Sequence, residues 1–218
     1  MPFAARHRRD PVPGIEPLPG LTVRHIDDAE LMAALQGRAP DHMARRFDAG
    51  HRAYVAYRDD APAAWGWVAT RTAEIGELGS TFQVPHGGRY LWNFVTIAAY
   101  RGLGIYPRLL DAIVRAESRD AERFWIAYAP ENHASGAGIR RAGFVDLAEL
   151  SFDADGQAAL NAIVPGGARV ASRVLGLPES PVALAPSWRC VRAGHGSMSC
   201  APGRCRCDYQ RPESGCAA

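Results

Sequence analysis

Apolar and polar residues alternate over Leu21–Ile26 (LTVRHI), the two-residue period of a strand with one buried face. Asp27 or Asp28 is placed to N-cap the following segment, where Glu30 in the first turn complements the positive end of a helix dipole. Leu31, Ala34 and Leu35 share one face of that helix, and Pro40 is expected to terminate it. Asp41–Ala49 predicts a second short helix ending at Gly50. Ala53–Arg58 (AYVAYR) reads as a strand, Asp59-Asp60 as a turn, and Ala63–Thr70 (AAWGWVAT) as its antiparallel partner. Glu74–Val84 fits either a strand or an irregular loop, and His86-Gly87-Gly88 is a turn. A run of β-formers starting at Tyr90 then gives way to Tyr100-Arg-Gly-Leu-Gly104. From there Ile105, Leu109, Leu110, Ile113 and Val114 recur at helical spacing, with Pro107 tolerated in the first turn.

Arg123–Ala129 (RFWIAYA) predicts a further strand, Pro130–His133 its exit loop, and Ser135–Ala142 a short helix closed by Gly143. Phe144–Phe152 predicts a last strand. The order β-α-α-β-β-β-α-β-α-β over residues 21–152 implies an α+β fold, a mixed, mostly antiparallel sheet flanked by helices. Residues 1–20, dense in Pro, Gly and Arg, read as a flexible leader. Ala158–Ile163 and Ala168–Leu175 predict short helices within a linker over residues 153–189.

Composition adds limits. The 218 residues are 47% hydrophobic and 22% charged, ordinary for a globular protein, and no apolar run approaches the roughly 20 residues of a membrane helix. The first 20 residues lack an apolar core of the secretory type, so a cytoplasmic location is expected. A net charge of +2 gives no argument for nucleic acid or acidic membranes. All 25 basic residues are arginine, so the chain has no lysine amine.

The chemistry concentrates in Tyr90–Tyr106, YLWNFVTIAAYRGLGIY. Gly102 and Gly104 let the backbone tighten and approach a ligand, while the N–H groups of Leu103 to Tyr106 begin a helix and carry its positive dipole end. With Arg101 alongside, the turn suits a pyrophosphate. The dinucleotide pattern G-x-G-x-x-G fails because Pro107 holds the third glycine position, and the Walker pattern fails for want of lysine.

This stretch resembles the acetyl-CoA-binding motif of the GNAT superfamily of N-acyltransferases, Arg/Gln-x-x-Gly-x-Gly/Ala after a strand. Arg101 and Gly104 match, and Tyr106 stands where Gly or Ala is usual. A second signature follows in Asn132-x-x-Ser135 and Ala142-Gly143-Phe144. The resemblance, which covers about residues 21–152, implies a V-shaped splay between the strands ending near Thr96 and Tyr128. Pantetheine would pair with Phe94, Val95, Thr96 and Ile97. Pyrophosphate would sit on Arg101, Gly102, Leu103, Gly104, Ile105 and Tyr106, with Asn132 and Ser135 nearby. Ser135 reads equally well as a helix N-terminal residue. The activity implied is transfer of an acetyl group from acetyl-CoA to a primary amine of a small molecule. The alternative is a non-catalytic acyl-CoA or protein-binding module whose cysteine-rich C-terminal tail recruits a macromolecular partner. Oligomeric state is left open, a dimer included.

Direct transfer from a thioester needs a neutral amine and an acid for the departing thiolate. Many relatives supply that acid as a tyrosine in the short helix, where this chain has Ile139. Tyr106 and Tyr128 are the candidate replacements. Glu77 and His86 are candidate bases, and Asn93 could orient the amine or a water, or simply tie its strand to a neighbouring loop.

All five cysteines lie in the last 29 residues, which marks residues 190–218 as a separate tail. Cys200, Cys205, Cys207 and Cys216 are spaced to hold a metal ion, with four-thiolate zinc the leading expectation and an iron–sulfur cluster or disulfides the alternatives.

Overall fold

The computed structural model describes residues 1–76, 79–152 and 157–181. The main sheet has eight strands, β1 (Pro2–His7), β2 (Leu21–Ile26), β3 (His51–Arg58), β4 (Ala61–Ala69), β7 (Gly88–Thr96), β8 (Arg123–Ala127), β9 (Val145–Phe152) and β10 (Ala158–Ala162). They lie side by side in the order β10-β9-β1-β8-β7-β4-β3-β2. A separate hairpin pairs β5 (Thr72–Ile75) with β6 (Ser80–Gln83). The helices are α1 (Ala29–Gln36), α2 (Pro40–Asp48), α3 (Ile105–Glu117), α4 (His133–Arg141) and α5 (Gly167–Leu175). All main-sheet pairings are antiparallel except β7 with β8. The expected α+β sheet with flanking helices is the architecture found. Among the described residues no helix is long and apolar enough to cross a membrane.

The largest correction is at the amino end. Residues 2–7 are not a leader but strand β1, inserted between β8 and β9 with Phe3 and Ala4 fully buried. The reason is long-range pairing, since Phe3 faces Ala127 on one side and Ala148 on the other. A second correction concerns Ala158–Ile163, which extends the sheet as β10 because Leu160 is buried opposite Leu150. With α5 packed over β9 and β10, this stretch belongs to the domain and is not a linker. At the first helix the terminator is Gly37, left-handed at φ 59°, and Pro40 instead opens α2. The undecided Glu74–Val84 stretch contains most of the β5–β6 hairpin.

Helix α3 is fixed to the sheet by two buried carboxylates. Asp111 accepts from Arg6 Nη1 of β1 at 2.9 Å and from Arg115 Nε at 2.7 Å, while the same Arg6 Nη1 reaches Ala142 O at the end of α4 at 2.9 Å. Glu117, 1% exposed, accepts from Arg89 Nε of β7 at 2.6 Å, Arg52 Nη1 of β3 at 2.9 Å and Tyr54 Oη at 2.6 Å. A buried charge is tolerable only with such a full set of partners. Burial alone would raise the Glu117 carboxyl, but hydrogen bonds from Tyr54, Arg89 and Arg52 outweigh it and hold it below its ordinary value. A depressed folded-state value adds stability above the ordinary carboxylate range, and that stability is lost as pH falls through the folded value. Glu117→Gln should therefore cost about 3 kcal/mol at neutral pH by urea denaturation. The gap to the wild type should narrow progressively in acid.

Candidate functional site

Strands β7 and β8 pair only over Gly88–Leu91 and Arg123–Ile126, then part. Two local features drive them apart. On β7, Asn93 takes φ 52° at a register shift in the pairing with β4, where Trp65 faces Val95 but Trp67 faces Trp92. Such a bulge bends its strand and sharpens the twist. Gly66 sits opposite the shift, and a Cβ there would lie 2.0 Å from the Phe94 ring, so the glycine makes room for that ring. On the other side, β8 remains zipped to β1 out to Ala127. Beyond Leu91, the β8-facing edge of β7 has no strand partner among the described residues, leaving amide groups that an extended ligand can use.

The splay opens into two cavities. The first, about 670 Å³, is lined by Phe94, Val95, Thr96, Arg101, Gly102, Gly104, Ile105, Tyr106, Asn132, Ser135, Gly138 and Arg141, among others. Gly102 (φ 81°) and Gly104 (φ 68°) hold left-handed conformations that side chains resist, and Gly104 is the residue before α3. Among the described residues the N–H groups of Gly102, Leu103 and Gly104 donate to no backbone carbonyl. A Cβ on Gly102 would meet nothing within 4 Å, so the turn is an open cradle at a helix N-terminus. Arg101 and Arg141 add positive charge at its rim.

The second cavity, about 640 Å³, lies on the other side of the splay. It is walled by His51, Ala73, Glu74, Ile75, Tyr90, Trp92, Asn93, Ile126, Ala127 and Tyr128, and shares Phe94, Tyr106, Asn132 and Ser135 with the first. The β5–β6 hairpin supplies one of its walls.

Of the residues expected to hold a ligand, Phe94, Val95, Thr96, Arg101, Gly102, Gly104, Ile105, Tyr106, Asn132 and Ser135 line the first cavity. Two do not. Ile97 donates its N–H to Ala63 O at 2.9 Å and packs beside the core behind β4, and the Leu103 side chain is 47% exposed. Asn132 caps α4, its Oδ1 accepting from Ser135 N at 3.0 Å, so Asn132 and not Ser135 is the capping residue.

The candidate catalytic side chains differ in placement. Tyr106 lies where the cavities meet, its ring 5.5 Å from that of Phe94 and its Oη accepting from Ser135 Oγ at 3.4 Å. Burial raises the Tyr106 phenol well above its ordinary value. Tyr128 lines only the second cavity, and its hydroxyl is engaged by Asp146 at 3.1 Å and Arg140 Nη1 at 2.9 Å. Burial, followed by the Asp146 charge, pushes that phenol up to about 12. Asn93 is exposed on the bulge, donating Nδ2 to Gln36 Oε1 at 3.3 Å, which ties β7 to the end of α1. His86 is an exposed turn residue before β7, at the end of that strand remote from the splay. Glu77 and the cysteines Cys200, Cys205, Cys207 and Cys216 lie outside the described residues. No group of three or more metal-ligating side chains occurs among the described residues.

Ile139 is fully buried in the core beneath α3 and lines neither cavity. The sequence signal that places the tyrosines is instead the pair of glycines inside α4. A Cβ on Gly136 would come 2.7 Å from the Tyr128 ring, and one on Gly138 would come 2.5 Å from Tyr106. Helix-interior glycines each cost about 1 kcal/mol, so their presence here marks close packing of two rings on the helix backbone. His51 is a further cavity residue that the motifs did not reveal.

A mixed sheet splayed beside a glycine cradle is the geometry that the sequence resemblance implies. The chain matches the GNAT acetyltransferase family over residues 22–144, more than half its length, and belongs to that family. No curated protein matches it by sequence. Among solved structures it is similar to a GCN5-related N-acetyltransferase from Kribbella flavida (18% identity, TM-score 0.48), covering 66% of this chain but 53% of that one. It is also similar to AAC(6')-Iy bound to a CoA-S-monomethyl-acetylneamine bisubstrate analogue (15%, TM-score 0.48; 61% of this chain, 96% of that one). A third is the Salmonella typhimurium acetyltransferase that modifies the N-terminal serine of ribosomal protein L7/L12 (17%, TM-score 0.46; 62% and 85%).

Overpacking at Gly138 is directly testable. Gly138→Ala should lower the melting temperature despite alanine's better helix propensity, at a net cost of about 1–2 kcal/mol. Combining it with Tyr106→Ala should cost less than the two single changes summed, because the clash is gone.

Proposed function

We propose that the chain is an acetyl-CoA-dependent N-acetyltransferase acting on the primary amine of a small molecule. The observation that carries this reading is the meeting of two cavities at one splay, sharing Phe94, Tyr106, Asn132 and Ser135. The first fits the donor: the open cradle at Gly102–Gly104 with Arg101 and Arg141 suits a pyrophosphate, and the unpaired edge of β7 suits the pantetheine amides. The donor supplies an activated thioester carbonyl. The second cavity has the size and mixed apolar and polar wall of a small-molecule site. Its carboxylate Glu74 suits a cationic acceptor.

Acceptor nitrogen and thioester can then approach from opposite sides of the sheet opening, which is mainly a matter of positioning. The side chain best placed to deliver a proton to the departing sulfur is Tyr106, which borders both cavities and stays protonated because burial raises its phenol. Tyr128 stands behind as a wall, its hydroxyl already committed to Asp146 and Arg140.

Titration calorimetry with acetyl-CoA should give saturable one-site binding, weakened about tenfold or more in Arg101→Ala. Steady release of CoA with members of an amine panel supports the enzyme, whereas binding without release under every amine supports a non-catalytic module. Tyr106→Phe should lower kcat by about 100-fold with acetyl-CoA affinity little changed. Full turnover in that variant would remove Tyr106 from the acid role.

A further inference from the structure

We infer that His51 is the group that takes the proton from the acceptor's ammonium, an inference that rests on the acceptor reading of the second cavity. His51 opens β3 and reaches across β4, so that its ring meets Trp92 of β7 edge-on with centroids 5.1 Å apart. It thereby lines the cavity that also holds Asn93, Phe94 and Tyr106. Its Nδ1 is shielded from solvent and finds no partner among the described residues, so the acceptor's proton is assigned to Nε2. Trp92 Nε1 in the same wall is likewise shielded and unpartnered.

The charges around the ring come from each neighbouring element. Arg46 of α2 stacks on Trp92 at 4.7 Å and on Trp67 at 5.1 Å, and its Nη1 donates to Gln36 Oε1 at 3.2 Å. Arg71, just after β4, donates to Asp48 O and Ala49 O at the end of α2. Glu74 lines the cavity from β5 but is exposed. Burial first, then the Arg46 and Arg71 charges, lower the imidazole from its ordinary value, so it is neutral and able to accept a proton at neutral pH. Glu74 is suited to attract the ammonium and His51 to neutralise it.

The proton count closes. The acceptor enters as R–NH3⁺, and Nε2 takes one proton and later returns it to solvent. The neutral nitrogen forms its bond to the acetyl carbonyl carbon while the carbon–sulfur bond breaks. The nitrogen then sheds a second proton, and the departing sulfur takes one up to become the free thiol.

The test is the pH profile of kcat/KM for the full chain, His51→Gln and Arg46→Gln, with a turned-over amine and saturating acetyl-CoA. Acetyl-CoA calorimetry on each variant reports folding independently of turnover. His51→Gln should bind acetyl-CoA within about twofold of wild type, lose about 100-fold in rate, and lack the acid-side limb. Arg46→Gln should keep that limb but move it to higher pH, because one positive charge has left the ring. A His51→Gln protein that binds acetyl-CoA and keeps both rate and limb overturns the role of His51 alone. Wild-type protein that binds acetyl-CoA yet acetylates no amine overturns the acetyltransferase reading, and this role with it.

Discussion

Strand β7 cannot keep β8 as a neighbour beyond Leu91, and most of the site follows from that limit. The left-handed Asn93 bulge turns β7 toward β4, while β8 is held on its far edge by β1. Backbone groups that would normally close a sheet are left facing a gap. The gap has a glycine turn at one end and a helix N-terminus aimed across it. The cavity on one side is polar at the cradle, and the cavity on the other is walled by aromatic rings.

An opening of this kind would collapse unless its borders were held, and the buried charges supply the bracing. Asp111 joins α3 to β1 through Arg6, and the same guanidinium reaches the end of α4. Glu117 joins the last turn of α3 to β3 and to the paired base of β7. Each contact lies on the later turns of α3, away from the cradle, where the N–H groups of Gly102, Leu103 and Gly104 donate to no backbone carbonyl among the described residues. Helix α4 completes the frame with two glycines that admit the Tyr128 and Tyr106 rings against its backbone. The strength of the arrangement lies outside the site and its open polar groups lie inside it.

What local sequence shows is what local physics determines. The strand-turn-helix around Gly102 and the capped helix after Asn132 are legible because turns, caps and periodicity act over a few residues. Strand β2 falls on the predicted residues for the same reason. Strand β1 escapes because its partners lie more than a hundred residues away and its buried Arg6 looks like a solvent residue until Asp111 is known to face it. Strand β10 escapes because a short apolar run such as AALNAI suits a helix or a buried strand equally. His51 carries no motif at all; its place in the cavity depends on the registers of β3 on β4 and β4 on β7. Tyr106 and Gly138 are separated by 32 positions, and only the fold reveals that one fills the space left by the other.

On the proposed function, the unpaired edge of β7 and the cradle before α3 form one acyl-donor site. Amide hydrogen–deuterium exchange of the full chain, with and without acetyl-CoA, reads both segments at once. Slowed exchange should concentrate in peptides covering Phe94–Thr96 and Gly102–Tyr106, with β2 and the β9–β10 pair unchanged. Protection elsewhere, with these two segments exchanging at the unliganded rate, would overturn the donor site.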